Sequence, residues 1–212
     1  MEEIQYIGEH LLPGQIGQAA IVLGFVGALL SAVGYFMATN RINTPDYQGW
    51  KNIGRAGYGL HILAIFTIVG TLFYIMNNAY MEYSYVQQHV SRDLPKKYIL
   101  SAFWEGQEGS FILWMFWHAV LGGILMWKGR KWETPVLASL ALVQVVLVSM
   151  IMGVYIGDMK FGSNPFLLLR DTMDIPLFNN ADYVSLVKGN GLNPLLQNYW
   201  NTIHPPTTFL GF

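Results

Sequence analysis

The sequence predicts an all-α fold, a polytopic bundle of membrane helices, and three observations carry that reading. Apolar side chains make up 53% of the 212 residues and charged ones only 12%, with a mean hydropathy of +0.33. That balance lies outside the range of ordinary soluble domains. Four stretches, at about 18–38, 58–77, 109–127 and 135–156, contain no Asp, Glu, Lys or Arg, and each approaches the ~20 apolar residues that span a hydrocarbon core. Finally, the charges between these stretches are segregated by sign, as the loops of membrane proteins are.

The first stretch follows the acidic segment "MEEIQYIGEH". A cleavable signal peptide would begin with positive charge, so this stretch is expected to remain as a helix. Arg41, Lys51 and Arg55 against Asp46 mark the first connection as cytoplasmic, and Lys128, Arg130 and Lys131 against Glu133 do the same for the third. The remaining segments hold eleven acidic residues (Glu2, Glu3, Glu9, Glu82, Asp93, Glu105, Glu108, Asp158, Asp171, Asp174 and Asp182) and six basic ones. The N-terminus, the connection at 78–108 and everything after 156 are therefore expected on the outer side. A net charge of −1 offers no surface for nucleic acid.

The first two helices carry small residues in "GFVGALLSAVG" and "GRAGYGLHILA", which permit close helix packing in lipid. Residues 78–108 mix aromatics, charges and a proline, and read as a short interfacial helix followed by re-entry. The segment 157–204 is rich in Asn, Asp, Gly and Pro, with the apolar insertions "NPFLLL" and "NPLLQNYW". A loop of that length is more often functional than idle, and its apolar clusters are expected to pack back on the membrane surface instead of waving in solvent. Residues 205–212, "PPTTFLGF", read as the start of a fifth spanning helix with the prolines in its first turn. That implies a longer protein. The expected organisation is thus a four-helix membrane bundle over 1–156 with its interfacial segment at 78–108, an outer-face loop over 157–204, and the fifth helix from 205.

There are no cysteines, so chemistry in this chain must use His, Met, carboxylates or a bound cofactor. His204 stands at the expected outer membrane edge, four residues after Trp200 and before two prolines. It is either a metal or heme ligand on a stiff backbone or an interfacial hydrogen-bonding residue. His61 and His118 lie inside spans, where an ionisable ring needs a buried partner. Their offset of ~10 Å along the bilayer normal makes them a poor pair for one cofactor. Packing histidines are the simpler reading. His10 and His89 read as solvated. In "FWEGQEGSFILWMFWH", Trp104, Glu108, Phe111, Trp114 and His118 recur at helical spacing on one face. They form either an interfacial aromatic belt or a wall for a flat ligand such as a porphyrin, and Glu108 also suits the positive end of a helix dipole.

"SYVQQHVSRDLPKKYILSAFWEGQEGSFILW", "GSNPFLLLR" and "GLNPLLQNYWNTIHPPTTFLGF" resemble, in order and spacing over residues 84–212, the N-terminal third of the large heme-lyase subunit of System I cytochrome c maturation, the CcmF/NrfE type. The first two helices match in character. The resemblance implies a multi-pass protein of the bacterial inner membrane, N-terminus periplasmic. It would help attach heme covalently to apocytochrome c on the outer face, with partners that include a heme chaperone and other maturation subunits. It also implies that His204 is the first of two outer-face axial ligands of heme iron; Trp104, Glu108, Trp114 and Trp200 are candidate heme-binding neighbours from their own placement in the sequence. The tryptophan-rich platform and second outer histidine of that family lie further on, so this stretch alone is expected to be inactive. Glu105 stands where the family usually has a small residue, and the family's membrane heme ligands do not map onto His61 or His118. A transporter subunit or a structural part of a respiratory assembly are the competing classes.

Overall fold

The computed structural model describes residues 5–157 and 159–211. Glu2, Glu3 and Asp158 of the charge count, and Phe212 of the expected fifth helix, lie outside them. The described chain is an all-α membrane bundle with four helices long and apolar enough to span: α1 (Leu11–Thr39), α2 (Tyr47–Asn77), α5 (Gln107–Lys128) and α6 (Glu133–Met152). Between α2 and α5 run two short helices, α3 (Ser84–His89) and α4 (Ile99–Phe103). Beyond α6 come α7 (Leu169–Thr172), α8 (Tyr183–Leu186) and α9 (Tyr199–Gly211).

The helices overrun the charge-free stretches. At 31 residues α2 is ~46 Å long against a hydrocarbon core of ~30 Å, so Lys51 and Arg55 sit in its opening turns and not in a loop. The fourth span ends earlier than expected, at Met152, because Gly153 takes φ 69° and closes α6 with a left-handed cap. Residues 154–156 instead form β1 (Val154–Ile156), paired antiparallel with β2 (Met159–Phe161), Val154 opposite Phe161.

The chain divides into two compact units: one of residues 1–18, 70–110 and 164–212, the other of 19–69 and 111–163. The second unit holds most of the four spanning helices. Its α1–α2 contact is built on glycine: a Cβ on Gly34 would lie 2.4 Å from the Gly54 amide nitrogen, and one on Gly57 would lie 2.6 Å from that of Ser31. The close approach read from the small residues is therefore backbone against backbone. At the end of this unit that carries the basic segments, Glu133 is 1% exposed. It accepts from Arg55 through Nε at 2.6 Å and the guanidinium NH2 at 2.8 Å, and pairs with Lys51 Nζ at 2.9 Å. Two of the three cations that the sequence places at the first connection thus neutralise the acid of the third. An open bidentate fork plus an ammonium is what a carboxylate removed from water requires.

The first unit gathers three distant stretches. Glu9 accepts from Arg170 Nε at 2.8 Å and from the Tyr183 hydroxyl at 2.6 Å. The backbone of 82–84 pairs with that of 167–169, Ser84 N donating to Leu167 O and Leu169 N to Glu82 O. Phe166, Leu168, Leu169, Phe178, Tyr183, Val187 and Leu192 are all buried. The segment therefore packs into protein as far as Leu192, whereas Leu195, Tyr199 and Trp200 beyond it are 83%, 68% and 73% exposed, with no protein covering them.

Candidate functional site

His204 lies on α9, and the geometry of that helix differs from expectation. Helix α9 begins at Tyr199, so Pro205 and Pro206 fall in its interior and not in its first turn. The extra turn forms because Asn198 caps it, its side-chain oxygen accepting from Asn201 N at 2.9 Å. Thr207 and Thr208 hydroxyls donate back to the His204 carbonyl at 2.8 and 2.9 Å. The His204 ring is exposed, and Thr208 Oγ1, 3.5 Å from Nε2, is its nearest polar contact among the described hydrogen bonds. Trp200, four residues earlier, is on the same helical face and is also exposed.

Trp104 does not share a helix with Glu108 and Trp114. It caps α4, a turn before α5 starts, because Glu105 and Gly106 break the helical run. Its indole is buried and donates to the Asn201 carbonyl at 2.9 Å. Next to it Ser101 Oγ meets Thr202 Oγ1 at 2.7 Å. His204, Trp200 and Trp104 thus belong to one unit with Glu108, which lies in the first turn of α5. Trp114 lies further along α5, in the other unit, its ring 6.0 Å from that of His118.

His10 and His89 are not merely solvated. His10 Nδ1 and its backbone amide both bond Glu82 Oε1, at 3.0 and 2.9 Å, and its ring stacks on Tyr80 at 4.0 Å. Glu82 itself is fully buried. His89 Nδ1 donates to the Tyr85 carbonyl at 2.8 Å. The tyrosines around these groups are held protonated. Burial first, then the charges of Glu82 and Glu9, push Tyr83 up to about 12, against the opposing Gly14 N–H bond. Burial likewise raises Tyr85, with Glu108 adding to it. In Tyr183, burial acts together with the bond to Glu9.

In the other unit His61 and His118 are joined after all, through Gln144 on α6. His61 Nδ1 donates to the Gly24 carbonyl at 2.9 Å, its Nε2 lies 2.9 Å from the Gln144 carboxamide, and the carboxamide also contacts His118 Nδ1. As placed, Gln144 sets Oε1 toward His61 Nε2 and its NH2 toward His118 Nδ1; with both rings neutral the network closes when this amide is turned over, its NH2 donating to His61 Nε2 and its oxygen accepting from His118 Nδ1–H. Tyr58 adds a bond to the His118 carbonyl at 2.8 Å. These are satisfied packing histidines. The polar residue that satisfies them, Gln144, was visible as an amide inside an otherwise apolar span, but nothing in its spacing pointed to either ring.

Among the described residues no cluster of three or more His, Asp or Glu side chains is disposed to hold a bare metal ion. One exposed imidazole beside exposed aromatic surface does suit an axial ligand of a flat apolar macrocycle, which would cover Trp200 and neighbouring apolar groups.

No family model and no solved structure matches the chain. Curated relatives do. The chain is 31% identical over 206 residues to the cytochrome c-type biogenesis protein CcmF of Pseudomonas fluorescens, covering 93% of the chain and 27% of that protein. It is 26% identical over 203 residues to the cytochrome c-type biogenesis protein ccl1 of Rhodobacter capsulatus (93% and 27%). To the probable cytochrome c-type biogenesis protein NrfE of Escherichia coli K12 it is 26% identical over 156 residues (71% and 25%). The similarity extends through the first two helices, beyond the motifs of residues 84–212. The chain spans about a quarter of the length of these relatives. With its four spanning helices it is a multi-pass inner-membrane protein, and over most of its own length it is similar to cytochrome c-type biogenesis proteins of the CcmF/NrfE type.

Proposed function

We propose that this chain handles heme on the outer face of the membrane and contributes to its covalent attachment to apocytochrome c, with His204 as an axial ligand of the heme iron. The observation that carries the reading is the state of His204. It is an exposed imidazole on a helix stiffened by two prolines, beside an exposed tryptophan, in a chain similar to proteins named for cytochrome c biogenesis. A neutral imidazole nitrogen is a good iron ligand. Trp200 offers a ring face to the macrocycle, while Glu108, in the same unit, remains a candidate neighbour. Apocytochrome c, a heme chaperone and further maturation subunits are the partners this role needs. The charge split supports an orientation with the N-terminus, 78–108 and 157–204 outside and the segments around Arg41 and Arg130 inside.

The test is His204→Ala in the intact protein. Membrane insertion should be unchanged, while heme content falls or its absorption spectrum shifts, and cytochrome c maturation drops. Asn179→Ala, at another exposed position of the same segment, should change none of these. Wild-type heme content, spectrum and maturation in His204→Ala would overturn the ligand assignment. Labelling of a cysteine placed at position 43 or 129 from the outside would overturn the orientation.

A further inference from the structure

In an α-helix the amide of residue 205 would donate to the carbonyl of residue 201. Pro205 has no N–H, so α9 carries an interior carbonyl with no helical donor. That carbonyl is the one to which the Trp104 indole donates, at 2.9 Å. The indole is 8% exposed, so water is a poor substitute for it. One residue on, Ser101 Oγ holds the Thr202 hydroxyl at 2.7 Å. Both contacts come from α4 and its cap, and both grip the turn that ends at His204.

We propose that Trp104 is a positioning residue for His204: its N–H replaces the backbone donor that Pro205 lacks and so holds the turn that carries the imidazole. The proline and the tryptophan are then one device. Pro205 opens a site for a donor on the helix, and Trp104 fills it with a group anchored elsewhere in the same unit. A tryptophan that merely lined a ligand would present its ring face and have no need of this bond. The link to heme rests on the reading of His204 as a ligand; the link to the turn does not.

A mutant cycle separates the two. Trp104→Phe keeps most of the ring and removes the N–H, while Pro205→Ala restores a backbone donor to the Asn201 carbonyl. In heme-free protein, Trp104→Phe should speed hydrogen exchange of the backbone amides across 203–211 by about fivefold or more, the scale on which loss of such a bond acts. In the Pro205→Ala background the same change should produce less than about twofold, since the helix then supplies its own donor. In heme-loaded protein, heme retention and the absorption spectrum should follow the same pattern. An unchanged exchange rate in Trp104→Phe would overturn the proposal. So would an equal increase in both backgrounds, which would mean that only ring packing was lost. If the exchange cycle behaves as expected while His204→Ala leaves the heme spectrum untouched, the indole still positions this turn and the ligand reading alone fails.

Discussion

Replacing Gln144 with Leu tests whether the buried network of the bundle holds helices together. The two side chains are close in volume, so the change removes polar contacts with little loss of packing. Both carboxamide contacts disappear, leaving His61 Nε2 and His118 Nδ1 without partners. His61 is fully buried and has nowhere to find a substitute, whereas His118 is only partly covered. Interhelical hydrogen bonds in membrane proteins average ~0.6 and reach ~1.7 kcal/mol, and a buried polar group left unpaired costs ~1–3 kcal/mol. Two such groups, one with partial relief, should destabilise the bundle by ~2–4 kcal/mol. Unfolding in mixed micelles with a rising fraction of denaturing detergent would read this directly. A second variant sharpens the logic: Gln144→Leu combined with His118→Leu removes both ends of one contact and should cost no more than the single change. A loss below ~0.5 kcal/mol for Gln144→Leu, within the range of ordinary surface changes, would refute the reasoning.

Glu133→Ala should destabilise the same unit by less than Lys51→Met with Arg55→Met, because Arg55 can turn to water while Glu133 would be left as an unpaired buried charge worth ~3–5 kcal/mol; detergent unfolding of the two variants gives the order. The first unit should unfold in alkali. Its tyrosines ionise at about 10 when unfolded, and Tyr83, Tyr85 and Tyr183 are raised by burial when folded. The stability they contribute is therefore full below pH 10 and is lost as pH rises through their folded values, about 12 for Tyr83; tyrosinate absorbance should show a late, cooperative phase that Tyr83→Phe diminishes. Gly57→Leu should prevent α1 and α2 from closing, seen as loss of folded protein on gel filtration, whereas Gly59→Leu, with open space around it, should be tolerated. Limited proteolysis should cut near Leu195 and spare Phe166.

Much of this fold can be read from composition, because a bilayer admits few solutions: apolar length, charge sign and small residues yield four helices and the α1–α2 contact. What escapes is whatever depends on a partner distant in sequence. The end of α6 turns on one glycine conformation. The start of α9 turns on the Asn198 cap, which shifts the prolines inward, although Pro205 and Pro206 taken alone point to a helix start. Trp104 shares a helical spacing with Glu108 and Trp114, yet Gly106 interrupts the helix, and its indole turns out to serve a carbonyl 97 positions away. His204 was identifiable as a candidate because its setting is local: an aromatic four residues before it and a stiff backbone after.

The bond between Glu9 and Tyr183 joins residues 174 positions apart, and it sets a timetable for folding. Ribosomes add ~5–20 residues per second, so Glu9 exists for ~10–35 s before the hydroxyl that it bonds has been made. The glycine contact of α1 with α2 is complete within the first third of the chain, and Gln144 is made before Arg170. Unit two can therefore assemble while the Glu9 carboxylate still waits for Arg170 and Tyr183, and the turn that Trp104 grips through Asn201 is made later still.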